Sequence, residues 1–291
     1  MTRGHFRPAP RIVADDVSDE QLLADLDWIL TCPSLCLDER VAELSDLIDT
    51  GAAVDLNPVR EFLNSSAWHR VGYYFESFIE TLLGKNALIR NLKHSIQVFE
   101  GKRTLGELDF VFEYPDKGTT HLEVALKYYL YFEPEHASGS HFMGPNATDN
   151  FEKKWEKLAH KQLPFGSERF PEIDQSVALV KGQIFYHPDL ESPSHLPEPM
   201  NPDHRKGVWV RESELEWFSR FGEEATGAIL QKPFWFGPPQ EGITVPALVE
   251  EMTSHFSERK HPLLVSVTKP RGESVEELER IFVVSDQWPN D

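Results

Sequence analysis

The stretch Gly106-Glu-Leu-Asp-Phe-Val-Phe-Glu113, the turn Tyr114-Pro-Asp-Lys-Gly118 and the stretch His121-Leu-Glu-Val-Ala-Leu-Lys127 decide the fold of this chain. Apolar and polar residues alternate with a period of two in both arms, which is the pattern of a half-buried β-strand. Proline and glycine mark the turn between the arms. The sequence therefore predicts a β-hairpin here, with one strand on each side of the turn.

The polar faces of the two arms carry the chemically active residues. Because successive side chains of a strand point to opposite faces, Asp109 shares its face with polar residues of the first arm, and Glu123 and Lys127 share one face of the second. Pairing of the arms brings the three together, and two carboxylates beside a lysine can hold a hard cation next to a proton carrier. The alternative is a solvated polar face on which Glu123 and Lys127 form an exposed ion pair of little energetic value.

The composition is that of an ordinary soluble globular protein, with 40% hydrophobic and 26% charged residues among 291. This length is enough for one large domain or two modest ones. No run of about 18 apolar residues occurs and no apolar signal-peptide stretch stands near the start, so we expect a cytoplasmic protein without a membrane partner. The two cysteines, Cys32 and Cys36, are expected to be buried and reduced.

The net charge of −19 argues against a protein that coats nucleic acid with a basic surface, because that mode depends on Lys and Arg. The charge is unevenly distributed, however. Residues 85–161 hold eleven basic and eleven acidic side chains, so the rest of the chain carries the whole excess. The middle of the chain is therefore the part that a phosphate can approach, more so if metal ions offset its carboxylates.

Hydrophobic periodicity predicts a mixed α/β core in the order helix, three strands, helix, strand. Its helices are predicted at residues 67–83 and 151–163, and its last strand, apolar on both faces, at residues 175–186. The chain is divided into an N-terminal arm with helices, this core, and a C-terminal α+β extension, at residues 1–64, 65–190 and 191–291.

Two segments outside the core carry predictions of their own. Residues 39–49 are predicted to form an acidic helix that Gly51 ends. The aromatic run Pro233-Phe-Trp-Phe-Gly-Pro238 is predicted to be a packing element, in preference to a platform on which bases stack.

The two core helices also present charged residues with two interpretations each. Glu76 lies beside the apolar stripe of the first helix, where it either reaches water or is held inward by a partner. Lys153, Lys157 and Lys161 are four residues apart in the second helix. They form either a solvated, salt-bridged face or a basic ridge that follows a phosphate backbone.

Four stretches of the chain carry a family resemblance. They are Arg70-Val-Gly-Tyr-Tyr-Phe-Glu76, Gly106-Glu-Leu-Asp-Phe110, His121-Leu-Glu-Val-Ala-Leu-Lys127 and Gly144-Pro-Asn146. Together they resemble an uncharacterised bacterial conserved-protein family that is grouped with the PD-(D/E)XK nuclease superfamily. The resemblance implies a restriction-endonuclease-like core in which helices flank a mixed sheet.

The chain departs from the superfamily motif at two positions. Leu108 stands where a proline usually precedes the aspartate, and Ala125 stands where the lysine is expected. Lys127 is two residues further along the same strand face, about 7 Å away. A flexible lysine stem can lean back over part of that distance.

The resemblance implies roles for specific residues. Asp109 and Glu123, with Glu76 and the Val124 carbonyl, would hold one or two Mg²⁺ or Mn²⁺ ions, and Glu107 would be an outer ligand. Lys127 would orient the attacking water or stabilise charge on phosphorus. The basic ridge, Lys153, Lys157 and Lys161, would bind the backbone of a nucleic acid.

Three functions are compatible with these residues. The first is a Mg²⁺-dependent phosphodiester hydrolase that acts on DNA or RNA. The second is a catalytically degenerate protein of the same fold that binds nucleic acid or a protein partner without cleavage, which the displaced lysine favours. The third is an interaction protein whose acidic flanks meet a basic partner.

Overall fold

The computed structural model describes residues 17–48, 54–65, 69–132, 141–272 and 274–290, so the predicted N-terminal arm before the first helix, residues 1–16, lies outside them. Within these ranges the chain is a mixed α/β protein with six α-helices and one ten-stranded mixed sheet. The helices are α1 (Asp19–Thr31), α2 (Asn57–Leu63), α3 (Val71–Lys85), α4 (Phe151–Lys157), α5 (Leu163–Arg169) and α6 (Val245–Glu258). The strands are β1 (Arg90–Glu100), β2 (Arg103–Tyr114), β3 (Gly118–Tyr131), β4 (Phe142–Met143), β5 (Gln175–Tyr186), β6 (Arg205–Arg211), β7 (Thr226–Ile229), β8 (Ile243–Thr244), β9 (Leu263–Arg271) and β10 (Ser274–Val284).

The sheet has the strand order β1-β2-β3-β5-β6-β10-β9-β7-β8, with β4 paired to β3. Four consecutive strands of the sheet, β3, β5, β6 and β10, run parallel, and antiparallel pairs flank them on both sides. The predicted hairpin is confirmed, since Tyr114 pairs with Gly118 and Phe110 with Leu122. The predicted central strand is confirmed as well, because β5 lies inside the sheet and every residue from 178 to 185 is buried.

Alternation in β2 and β3 separates two apolar cores, one on each face of the sheet. Phe110, Phe112 and Leu122 belong to the core that α1, α2 and α3 complete. On the opposite face, Ala125 and Tyr129 pack with residues of the helical segment from α4 to α5. Both cores bury one face of each strand, which fixes the register because a shift of one residue would reverse the faces.

The C-terminal third of the chain extends the same sheet. β6 pairs with β5 through residues 205–208, and β10 pairs with β6. A third apolar cluster lies between these strands and α6. The predicted boundary at residue 190 therefore falls between two strands that are hydrogen-bonded neighbours.

The acidic helix predicted at residues 39–49 is wrong for the part that the structure describes. One 3₁₀ turn, Leu44–Asp46, replaces it. The backbone of this segment bonds to β5 instead: the Arg40 carbonyl accepts the Ala178 N–H at 2.8 Å, and the Ala42 N–H donates to the Ala178 carbonyl at 2.9 Å. A strand edge left open by the sheet therefore overrides the local helical preference.

The aromatic run at residues 233–238 is a packing element at its centre, as predicted. Phe236 is fully buried and stacks on Trp28 and Tyr74. Buried Asp25 of α1 accepts hydrogen bonds from the Tyr74 hydroxyl at 2.8 Å and the Gly237 N–H at 2.7 Å. Burial raises the pKa of Asp25 to about 6.

The two cysteines are buried and unpaired, which confirms the prediction made for them. Cys32 contacts the Gly182 carbonyl through its thiol at 3.5 Å. Burial raises the pKa of both thiols, so both are poor nucleophiles at neutral pH.

Replacing Gly182 with alanine is expected to destabilise the protein by about 1–3 kcal/mol, the usual cost of overpacking. A Cβ at this position would lie 1.9 Å from the Lys127 carbonyl oxygen of the neighbouring strand, and a backbone atom cannot move aside cheaply. Urea unfolding measures the change. Gly222→Ala is the control, since nothing lies within 4 Å of a Cβ there. Equal stability of the two variants would show that β3 and β5 are not packed this closely.

Candidate functional site

β2 and β3 separate at one point, and the candidate site lies at that strand fork. Their ladder ends at the pair Phe110 and Leu122. Immediately beyond it, Asp109 Oδ2 accepts the Val124 N–H at 2.8 Å. The aspartate thus replaces a missing ladder hydrogen bond, and this contact fixes one of its oxygens while Oδ1 stays available.

Glu123 is buried beside the fork and held at both oxygens. Its Oε1 lies 2.9 Å from His121 Nε2, and its Oε2 accepts a hydrogen bond from the Gln162 amide. His121 is also fully buried, and its Nδ1 lies 3.2 Å from Ser176 Oγ of β5. A buried carboxylate requires such partners, so this glutamate is oriented by its neighbours.

The helical segment from α4 to α5 supplies the rest of this hydrogen-bonded chain. A π-helical turn, Leu158–Gln162, joins the two helices. Gln162 stands at the end of that turn, and its Oε1 accepts a hydrogen bond from Lys154 Nζ at 3.1 Å. Single π turns inside α-helices occur frequently at functional sites. Five side chains are thereby linked in series, namely Ser176, His121, Glu123, Gln162 and Lys154.

A cleft of about 480 Å³ opens at the fork. Helix α3 contributes Glu76, which is half-buried, and β2 contributes Asp109 and exposed Glu107. Exposed Lys157 and Lys161 of the helical segment line the cleft from the other side. We call Glu76, Glu107, Asp109 and Glu123 the acidic cluster.

Two carboxyl groups of the acidic cluster, Glu76 and Asp109, have a raised pKa. Burial and the charges of Asp109, Glu107 and Glu123 raise the pKa of Glu76 to about 8. Burial, Glu123 and Glu107 raise the pKa of Asp109 to about 7, against the lowering effect of its hydrogen bond from Val124. Shifts of this kind, in a cleft and caused by burial and like charges, are typical of functional sites.

The pKa of Lys154 is lowered, whereas the pKa values of Glu76 and Asp109 are raised. Burial, followed by the charges of Lys127 and Lys157, lowers the pKa of its amine. A lysine with a lowered pKa gives up its proton more readily than an ordinary lysine and so can serve in proton transfer.

The Glu76→Gln substitution is expected to stabilise the protein at pH 8.5 by on the order of 1–2 kcal/mol, the shift being discounted for partial exposure. The folded-state pKa of about 8 is above the ordinary glutamate value of 4.5, so ionisation of Glu76 lowers the stability of the fold as the pH rises from 4.5 to 8. The gain should therefore nearly vanish at pH 4.5. Urea unfolding in EDTA at both pH values measures it, with Glu61→Gln, at an exposed position of α2, as the control. An equal gain at both pH values would contradict the proposed environment of Glu76.

The donors at the fork fit a divalent cation chemically. Across the described residues, neither Glu76 nor Asp109 forms an ion pair, so no salt bridge offsets their mutual repulsion. Mg²⁺ needs only one or two carboxylates, with water completing its shell. Each Glu123 oxygen retains a second lone pair despite its hydrogen bond.

The acidic cluster is nevertheless not closed around an ion. Within the described ranges, the one group of three ligand-type residues whose ligand atoms all lie within 4.8 Å is His187, Asp189 and Glu214. Within this group, His187 Nε2 lies at hydrogen-bond distance, 3.0 Å, from Glu214 Oε2. A cation at the fork would therefore draw Glu76, Asp109 and Glu123 closer together.

The other residues singled out in the sequence are divided between two places. Lys157 and Lys161 line the cleft, whereas exposed Lys153 does not. Lys127 lines a different cavity, where its Nζ forms a 2.7 Å ion pair with Asp149. The structure thus brings Asp109, Glu123 and Glu76 together and shows the amine of Lys127 engaged elsewhere.

Three residues of the site are absent from the sequence-based prediction, namely His121, Gln162 and Lys154. His121 precedes Glu123 by two residues on the same strand face, so the period of two could have identified it. The signal for Lys154 and Gln162 is weaker. They are eight residues apart, and the π turn changes the helical register between them.

Along the described part of the chain, no helix has the length and apolar character needed to cross a membrane. A family model described as a domain of unknown function, DUF1853, matches residues 17–284. No curated protein and no solved structure matches the chain.

Proposed function

Because the chain belongs to the DUF1853 family, whose description leaves the activity open, we propose a function from the site itself: a Mg²⁺- or Mn²⁺-dependent phosphodiester hydrolase acting on nucleic acid. The observation that carries this proposal is the cleft, in which carboxylates that form no ion pair face a helical segment with basic side chains. Glu76 and Asp109 lie on one side, and Lys157 and Lys161 on the other. Carboxylates suit a hard cation and lysines suit phosphates, so a bound phosphodiester would complete the charge balance.

Each residue has a distinct proposed role. Asp109 and Glu123, assisted by Glu76, hold the cation, and Glu107 is an outer ligand. When bound, the cation polarises a phosphoryl oxygen and lowers the pKa of a water molecule. Lys157 and Lys161 position the phosphate backbone, with Lys153 further along the same exposed helix.

Lys154 is proposed to take part in proton transfer from the attacking water. Its pKa is lowered, and Gln162 connects its amine to Glu123. Lys127, to which the family resemblance gives that role, pairs with Asp149 in the neighbouring cavity. We therefore assign proton transfer to Lys154 and leave the comparison of the two lysines to experiment.

The segment from α3 to β5 is proposed to be a restriction-endonuclease-like core. Its elements follow the order helix, three strands, helical segment, strand, interrupted by the short β4. The acidic residues stand on α3, β2 and β3, as the resemblance to PD-(D/E)XK nucleases implies. The segments before and after it would be additions to that core.

A second candidate function is favoured by two contacts. Both oxygens of Glu123 already accept hydrogen bonds, and the Lys127 amine is held by Asp149. A degenerate member of the fold would bind nucleic acid or a protein in the same cleft without cleaving it.

Cleavage assays separate these candidates. Fluorescent single-stranded and duplex DNA and RNA are incubated with the protein in Mg²⁺, in Mn²⁺ and in EDTA, and the products are sized on denaturing gels. The proposal expects shortened products with a divalent cation and none in EDTA. Binding without cleavage under all conditions would support the degenerate candidate, and the absence of both would favour an interaction protein with a basic partner.

A further inference from the structure

A second opening lies beside the cleft and is lined mainly by basic side chains. Two cavities of about 340 and about 590 Å³ share Pro145, Asn146, Lys232 and Trp235 as lining residues. Because they share these walls, they form one groove, which we call the basic groove. Part of its wall is the Gly144-Pro-Asn146 turn.

The basic groove is lined by cationic side chains in a strongly acidic protein. Four basic side chains and one carboxylate of the described residues line it, namely Arg70, Lys127, Lys232, Lys260 and Asp149. Asp149 pairs with Lys127, and Lys260 pairs with Glu212. Lys232 Nζ instead lies 5.0 Å from the centroid of the Trp235 ring and forms no ion pair with a carboxylate of the described residues. A chain with a net charge of −19 concentrates positive charge here, which complements an anionic ligand.

An aromatic ring stands at the centre of the basic groove. Trp235 is half-buried and lines both cavities. Edge contacts to Tyr128 and Phe282 hold its ring, and its Nε1 donates to the Leu230 carbonyl at 3.1 Å. A fixed ring flanked by lysines is the combination that binds unpaired bases and their phosphates.

The basic groove is continuous with the cleft. Arg70 lines the groove, and its Cζ lies 5.2 Å from the ring centroid of Tyr73. Tyr73 lines the cleft and is 39% exposed. The contact between Tyr73 and Arg70 therefore links the cleft to the groove that Lys127 and Lys232 line.

We propose that the basic groove binds the single-stranded part of a nucleic acid, with a base stacked on Trp235 and phosphates at Lys127 and Lys232. This inference rests on the proposed function, since it describes the path of the strand whose phosphodiester lies in the cleft. A duplex would not satisfy the groove, because its bases are stacked on each other and cannot reach the Trp235 ring. Lys127, which lines the groove, would therefore bind a phosphate of the strand.

Binding of fluorescent single-stranded oligonucleotides in EDTA tests the proposal. Oligo-dT, oligo-U and a duplex of equal length are titrated against the full chain, and fluorescence anisotropy is followed over a range of salt. Lys232→Ala should weaken single-strand binding about fivefold near 0.1 M salt, since each phosphate contact contributes a slope of about −0.7. Trp235→Leu should weaken it by about tenfold or more. Comparison of the dT and U arms shows whether DNA or RNA is preferred.

Lys85→Ala is the matched control, because this exposed lysine lies at the far end of α3, about 20 Å from the groove. It should bind as the wild type does, and circular dichroism should show that Trp235→Leu is folded. Crosslinking of a 5-iodouracil oligonucleotide should modify the peptide that contains Trp235. Unchanged affinity in both groove variants, equal losses in Lys85→Ala, or crosslinks confined to other peptides would overturn the proposal.

The outcome is independent of catalysis. If the wild type cleaves nucleic acid but the groove variants bind normally, the groove proposal fails and the proposed function stands. If the groove variants lose single-strand binding but no preparation cleaves, the groove proposal stands and the hydrolase fails.

Discussion

Replacing Asp109 with asparagine is expected to lower the rate of nucleic-acid cleavage by about 10²- to 10³-fold, because a catalytic cation contributes several kcal/mol to the transition state. Asparagine keeps the shape of the side chain and an oxygen that can accept the Val124 N–H. The substitution thus removes the charge at the strand fork with little change in its geometry. Calorimetric titration with Mn²⁺ should show a large loss of affinity in the same variant.

The control for this experiment is Asp116→Asn, in the exposed turn of the same hairpin. It removes the same charge from the chain, so it accounts for any general electrostatic effect. It should bind Mn²⁺ and cleave as the wild type does. If Asp109→Asn retains wild-type Mn²⁺ affinity, or if both variants lose it equally, the acidic cluster is not the cation site.

Replacing Lys154 with methionine is expected to lower kcat by about 10²-fold or more while Mn²⁺ affinity changes little, since proton transfer by a positioned group contributes 10²- to 10⁴-fold. Methionine preserves most of the apolar stem and removes the amine that bonds to Gln162. The lowered pKa of Lys154 also predicts an activity limb below the normal titration range of lysine, which the variant should lose. Single-turnover rates over pH 5–10 measure both effects.

Two further variants interpret the Lys154 result. Lys153→Met removes the neighbouring exposed lysine. It should weaken substrate binding and leave kcat unchanged. Lys127→Met should affect KM more than kcat if Lys127 binds phosphate in the basic groove. A larger loss of kcat in Lys127→Met than in Lys154→Met would return the proton-transfer role to Lys127.

Period and turn signals predicted the elements that carry the site. Three elements could be predicted because each has a continuous local pattern. They are the hairpin with its turn at residues 114–118, the buried strand β5 and the charged helical segment that begins at residue 151. Asp109 and Glu123 followed from the same alternation. The position of Glu76 beside them depends on how α3 packs on the sheet, which a single helix pattern does not encode.

The remaining features depend on contacts between distant segments. Residues 40–42 bond to Ala178, so a segment with a helical pattern became an edge contact of β5. Lys127 was placed correctly on its strand, but the loop that brings Asp149 to it lies about 20 residues away in sequence. The link from Glu123 through Gln162 to Lys154 requires the π turn, whose extra residue has no signal in the hydrophobic pattern.

The most direct test of the cation site is anomalous diffraction from a crystal of the protein soaked in Mn²⁺. We expect a peak at the strand fork, within about 2.5 Å of oxygens of Asp109 and of Glu123 or Glu76, which are drawn together around the ion. We also expect the Lys154 amine to remain hydrogen-bonded to Gln162, beside Glu123. Absence of a peak at the fork, with Mn²⁺ bound instead at His187, Asp189 and Glu214 or nowhere, would contradict the proposed cation site.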